Sequence, residues 1–112
     1  MRERVWLVFG RKAIEVRNLS EDPYSFETDP VEIAKLLVTF GEPTAIVHTH
    51  EHSCYPSPKD LKSMEAWRVT WVIVSRHCIK AFRLASGGRP EEVNVDPLLL
   101  EVLDDLLVEL GK

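Results

Sequence analysis

Residues 44–60 read TAIVHTHEHSCYPSPKD, an apolar run that ends in histidines and leads into a helix start. Successive side chains of a β-strand alternate between faces, so the strand predicted here places His48 and His50 on one face. Ser57 is expected to cap the following helix, with Asp60 in its first turn. Two neutral imidazoles, one carboxylate and a water are typical ligands of a hydrolytic zinc site. This stretch therefore predicts a strand–loop–helix unit that carries a candidate metal site.

The His-x-His pattern alone does not identify a fold, because cupins, amidohydrolases and metallo-β-lactamases share it. An amidohydrolase barrel needs ~250 residues, and this chain has 112. Cupins consist of many short strands, whereas this sequence is rich in helix patterns. A metallo-β-lactamase would have an aspartate before its third histidine, where this chain has Glu51.

A purely structural interpretation stays open for each residue of the pattern. A histidine pair at a strand end often only lines the polar edge of the sheet. Ser57 can be only a helix cap, and Asp60 can be present only because a carboxylate at a helix N-terminus interacts favourably with the helix dipole. His52 and Cys54 are expected to face solvent or to lie outside the ligand shell, and His77 is expected at the surface. Amide hydrolysis also needs a base, and the local sequence does not choose among the available carboxylates.

The rest of the chain predicts an α/β domain. Val5–Phe9 is apolar on both faces, as in a central strand, and residues 13–17 alternate like a hairpin partner. A helix is expected from Asp29, with Glu32 completing a capping box, and another over residues 98–110. The order β-β-α-β-α-β-β-α, with residues 86–90 as a flexible connector, predicts a mixed sheet flanked by helices.

Length and charge limit the functions to consider. A chain of 112 residues is expected to form one domain over residues 1–112. The net charge of −4 argues against nucleic acid or an anionic membrane as a partner. The apolar run near the N-terminus is too short for a signal peptide or a membrane span, so a cytoplasmic location is expected. Cys54 and Cys78 have no spacing typical of a metal or redox motif, and no disulfide can be argued from them.

The combined motif resembles the signature of the JAMM (MPN-plus) metallopeptidases, H-x-H-P…P-S-x-x-D. The matching residues are His48-x-His50 and Pro56-Ser57-x-x-Asp60. The family usually opens its first strand with E-x-x-G-x-L-x-G, and residues 3–10 have the glutamate and the final glycine in register. The resemblance covers roughly residues 3–84, and its combined motif is specific although none of its parts is.

This resemblance implies a JAMM/MPN-like (cytidine-deaminase-like) fold and a zinc hydrolase. His48, His50 and Asp60 would hold Zn²⁺, with water as the fourth ligand. Glu3 would accept the proton of the water and pass it to the leaving amine, and Ser57 would hydrogen-bond the developing oxyanion. The implied reaction is hydrolysis of an amide bond after the C-terminal glycine of a ubiquitin-like or sulfur-carrier protein.

Other functions stay open beside this one. Glu51 replaces the proline of the family motif, and the interval from His50 to Asp60 is one residue shorter than in the family. These departures are typical of a catalytically inactive MPN-type protein-binding module, and a phage-tail-type or cell-wall peptidase is a third interpretation. The apolar helix over residues 98–110 is expected to close the core; homodimerisation through it is the alternative.

Overall fold

The computed structural model describes residues 2–111, which form a six-stranded sheet with helices on both faces. The strand order is β2-β1-β3-β4-β5-β6; β3 and β4 are parallel, and the other pairs are antiparallel. The elements are β1 Val5–Phe9, β2 Lys12–Val16, α1 Pro30–Phe40, β3 Ala45–Thr49, α2 Pro58–Ala66, β4 Thr70–Val74, β5 Ile79–Leu84, β6 Pro90–Val93 and α3 Pro97–Glu109. The predicted α/β class with a mixed sheet flanked by helices is confirmed.

Each face of the sheet has its own apolar core. Trp6, Val47 and Val72 lie on one face, where they pack against the buried side of α3. The alternate residues of the same strands lie on the other face with buried side chains of α1 and α2. Helix α3 thus closes a core, which is the simpler of the two expectations for it.

Two local predictions were wrong. Residues 90–93 form β6, an exposed edge strand in the region assigned to a connector and the loop after it. Its sequence, Pro-Glu-Glu-Val, has no alternating apolar face, and proline is tolerated in a strand only at an edge or at the first position.

Glu32 does not complete a capping box, because its Oε1 accepts the backbone N–H of Arg17 at 3.0 Å. Asp29 alone caps α1, by accepting the N–H of Val31.

The parallel pair β3–β4 positions the candidate site. Strand β3 lies between β1 and β4, and α2 follows it before the chain returns as β4. The C-terminal end of β3 therefore faces the N-terminus of α2, as the sequence pattern predicted. Within residues 2–111, no helix combines the length and apolar character needed to cross a bilayer.

Candidate metal centre

His48 lies on the central strand β3 and is completely buried. The rings of Phe26 and Trp71 are 5.1 and 5.8 Å from its own, measured between centroids. The Nδ1 atom of His48 is buried and makes no hydrogen bond with any residue in the range 2–111. The ring therefore makes its polar contacts through Nε2.

Three ligand atoms from β3, the residue after it and α2 form a small triangle. The Nε2 atoms of His48 and His50 are 3.0 Å apart, and Asp60 Oδ2 lies 3.3 Å from the first and 2.9 Å from the second. Ligand atoms bound at about 2.0–2.1 Å around a tetrahedral zinc ion are about 3.3 Å from one another. The donor set and its spacing thus fit Zn²⁺ with only a slight expansion of the triangle.

The hydrogen bonding of His50 supports the same conclusion. Its Nδ1 lies 3.0 Å from the backbone carbonyl oxygen of Ser53, which can only accept a hydrogen bond, so Nδ1 carries a proton. In the neutral ring, Nε2 then has a lone pair directed at the Asp60 carboxylate. Two lone pairs at 2.9 Å repel each other unless a proton or a cation lies between them. A backbone carbonyl bound to the outer nitrogen is also how metal-binding histidines are commonly oriented.

Asp60 is held by the first turn of α2. Its Oδ2 accepts the backbone N–H of Ser57 at 2.9 Å, while Ser57 Oγ accepts the backbone N–H of Asp60 at 3.1 Å. This reciprocal capping box fixes the carboxylate beside the helix N-terminus, where the helix dipole favours negative charge. The shorter interval after His50 therefore does not displace Asp60 from the histidines.

Glu3 completes the cluster from the chain segment before β1. Its carboxylate and the ligand atoms of His48, His50 and Asp60 all lie within 4.8 Å of one another. Glu3 is only 7 % exposed, and its Oε1 is buried without a hydrogen-bond partner in the described chain. A buried carboxylate oxygen without a protein partner is well suited to bind a water or a substrate proton.

The charged groups of the cluster shift one another's pKa values. Burial raises the pKa of Glu3 from 4.5 to about 7, against the opposing charge of His50 and with the added repulsion of Asp60. Burial lowers the pKa of His48. Burial also opposes the ionised forms of His50 and Asp60, but hydrogen bonding outweighs it. The hydrogen bond to Asp60 raises the pKa of His50, and the hydrogen bonds to His48 and His50 lower the pKa of Asp60. Buried groups with pKa values pushed apart in this way are typical of functional sites.

The structure thus brings together Glu3, His48, His50 and Asp60, with Ser57 next to Asp60. His52 is exposed, as expected, and its ring stacks on the exposed ring of His77. Cys54 does not face solvent: it is 1 % exposed and forms a disulfide with Cys78. Ser53, whose carbonyl orients His50, was not identified from the sequence, because a backbone contact leaves no side-chain pattern.

One comparison with known proteins bears on this site. The chain is 36 % identical over 87 residues to a protein named Desampylase from Pyrococcus furiosus. The aligned region covers 71 % of this chain and 61 % of that relative, so the chain spans less than two thirds of its length. No protein-family model matches the chain.

The geometry defines what the site can do chemically. Three ligand atoms on one side of a metal leave a position for water or a carbonyl oxygen, which is how catalytic zinc sites differ from closed structural ones. A buried carboxylate with a pKa near neutrality can both accept and return a proton. Together these features suit metal-assisted hydrolysis better than metal storage or structural zinc binding.

Proposed function

We propose that the protein is a zinc-dependent peptidase or isopeptidase of the JAMM (MPN-plus) family. Its substrate would be an amide bond after the C-terminal glycine of a ubiquitin-like or sulfur-carrier protein. The observation that carries this proposal is the triangle of His48, His50 and Asp60 with the Glu3 carboxylate beside it, whose Oε1 has no hydrogen-bond partner among residues 2–111. This is the arrangement that the sequence resemblance implies.

His48, His50 and Asp60 would hold the metal, and Zn²⁺ bound there would supply the Lewis acidity that amide hydrolysis requires. Glu3 would take the proton from the attacking water and deliver it to the leaving amine. The Ser57 hydroxyl accepts the N–H of Asp60, so its own proton is available for the oxyanion that develops on the substrate carbonyl. The sequence resemblance implies these roles, and the proximity of the four cluster residues supports them.

The substrate class rests on the relative and on the resemblance. The relative from Pyrococcus furiosus is named Desampylase, and the sequence resemblance implies a ubiquitin-like or sulfur-carrier protein as the substrate. The aligned region includes a large part of this chain, which makes the same class of substrate the first to test. Nucleic acid and membranes are not expected partners, because the net charge is negative.

Metal content tests the proposal first. Purified protein should contain about one zinc per chain, and the His50→Ala variant should lose it. His52→Ala is the matched control, because this exposed histidine lies two residues away and outside the triangle. The zinc-loaded protein should then cleave ubiquitin-like proteins fused through their C-terminal glycine to a reporter amine, and Glu3→Gln should abolish cleavage while retaining zinc.

The opposite results would assign a different function. A folded protein that binds no added zinc would be an inactive MPN-type binding module. Cleavage of peptidoglycan peptides rather than ubiquitin-like fusions would point to the cell-wall type of peptidase. An active Glu3→Gln variant would remove Glu3 from its catalytic role.

A further inference from the structure

Asn18 connects the segment that carries Glu3 to the loop that follows β2. Its side-chain amide donates to the backbone carbonyl oxygen of Glu3 at 2.8 Å and to that of Ser25 at 3.1 Å. Its Oδ1 accepts the backbone N–H groups of Ser20 at 2.9 Å and Glu27 at 3.0 Å. All four hydrogen-bonding positions of this amide are thus used, and a fully satisfied network of this kind is rigid.

Glu3 lies outside the regular sheet and depends on such contacts for its position. The pairing of β1 with both neighbours begins at Val5, two residues later. On the β3 side, Arg4 is held by Thr49 through two hydrogen bonds. On the β2 side, the Asn18 side chain donates a hydrogen bond to the Glu3 carbonyl oxygen. This bond takes the place of the next backbone contact between the two neighbouring segments, beyond the Val5–Val16 pair.

One oxygen of the Glu3 carboxylate has no hydrogen bond to hold it. This oxygen, Oε1, is buried and makes no hydrogen bond with residues 2–111, so the position of the Glu3 backbone contributes to where it lies. A displacement of about 1 Å at a catalytic group can lower a rate by about 10²-fold. A contact that holds the Glu3 backbone is therefore expected to influence the reaction.

We propose that Asn18 is a positioning residue, which holds Glu3 at the distance from the His48–His50–Asp60 triangle that proton transfer requires. The inference rests on the proposed function, in which Glu3 transfers the proton. Asn18 is not one of the four residues of the candidate metal cluster, and it acts through its hydrogen bond to the Glu3 carbonyl oxygen. Its loss should lower kcat and leave metal binding unchanged.

Two variants of Asn18 and one of Ser20 test this role. Asn18→Asp retains the acceptor for Ser20 and Glu27 but cannot donate to the carbonyl oxygens of Glu3 and Ser25, whereas Asn18→Ala removes all four bonds. Ser20→Ala is the control for the loop alone, because the hydrogen bonds of the Ser20 hydroxyl with the described residues lie within residues 20–25. All assays are made well below the lowest unfolding temperature of the set.

Kinetics on a ubiquitin-like reporter fusion give the first measurement. Both Asn18 variants should lower kcat by roughly 10–100-fold with KM changed less than about threefold and with one zinc per chain. Ser20→Ala should stay within about threefold of the wild-type kcat. Normal kcat in both Asn18 variants, beside an inactive Glu3→Gln variant, would overturn the positioning role while leaving the proposed function intact.

Amide hydrogen exchange of the metal-free protein tests the anchor without any activity. The segment of residues 3–5 should exchange faster in both Asn18 variants and at the wild-type rate in Ser20→Ala. Unchanged exchange in all three variants would overturn the anchoring. If no fusion is cleaved even by the wild-type protein, the proposed function fails, and the exchange result still decides whether Asn18 anchors Glu3.

Discussion

At the scale of single residues, the buried Glu3 carboxyl makes the stability of the metal-free protein depend on pH. Its pKa in the folded protein is about 7, above the ordinary 4.5, chiefly because burial disfavours the charged form. The protonated form therefore stabilises the fold fully below pH 4.5, and this contribution is lost as the pH rises through 7. Above pH 7 the folded chain carries the cost of a buried negative charge.

Glu3→Gln should remove this pH dependence. Relative to the wild type, the metal-free variant should gain stability between pH 5 and pH 8, by at most about 3 kcal/mol at about 1.4 kcal/mol per pKa unit. Urea unfolding at the two pH values measures the change. Glu91→Gln on β6 is the control, because that side chain is exposed. Equal shifts in both variants would show that burial of Glu3 is not the cause.

The sequence predicted these site residues unequally, for physical reasons. His48, His50 and Asp60 were found from strand alternation and helix-start signals, which are local. Glu3 was chosen only through the family resemblance, since its distance along the chain from Asp60 leaves no local pattern. Asn18 was missed because its contacts run from a side chain to the backbone, and any loop asparagine in a sequence has the same appearance.

At the scale of elements, the first turn of α2 combines a structural and a proposed catalytic role in Ser57. Ser57→Ala should cost about 1 kcal/mol of stability through the lost helix cap, and it should also lower kcat. Ser57→Gly is the matched variant, since glycine is nearly as good a cap, at a cost of a few tenths of a kcal/mol. We expect both variants to lose activity equally, although the alanine variant loses more stability.

Thermal unfolding and reporter-fusion kinetics on the two variants measure this separation. A glycine variant with wild-type kcat would show that Ser57 is only a helix cap. A kcat that falls in proportion to stability would lead to the same conclusion.

The Cys54–Cys78 disulfide joins the loop between β3 and α2 to the turn before β5. The two cysteines are 24 residues apart, and closing a loop of that size stabilises a fold by about 3 kcal/mol. Reduction should therefore lower the free energy of unfolding by about this amount, as measured by urea unfolding with and without dithiothreitol. The Cys54→Ser/Cys78→Ser double variant should start at the lower value and should not respond to the reductant. Fully reduced wild-type protein of unchanged stability would contradict this expectation.

The strands and helices with long hydrophobic patterns were predicted from the sequence, and the short polar strand β6 was not. The buried strands β1, β3 and β4 carry continuous apolar runs, and α1 and α2 begin with proline directly after a capping residue. Strand β6 lacks such a run and is defined by pairing with β5, a contact that depends on tertiary structure. The disulfide was beyond prediction for the same reason, since the two cysteines approach each other only after the sheet has formed.

At the scale of the whole molecule, the candidate metal site exists only when the chain is folded. Its residues come from the segment before β1, from β3 and the residue after it, and from α2. Zinc should therefore bind the folded state and stabilise it by mass action. At free zinc of about 100 times Kd, the gain should be about 2.7 kcal/mol, which raises the Tm by roughly 10 °C for a domain of this size.

Thermal unfolding with and without zinc tests this coupling in three proteins. The wild-type protein and His52→Ala should show the full shift in Tm, and His50→Ala should show none. The stacked pair of His52 and His77 is the competing site, because exposed imidazoles also bind zinc. A shift that survives in His50→Ala and disappears in His52→Ala would place the metal on that surface pair. The shift would then owe nothing to the buried triangle, and the hydrolase proposal would lose the site on which it depends.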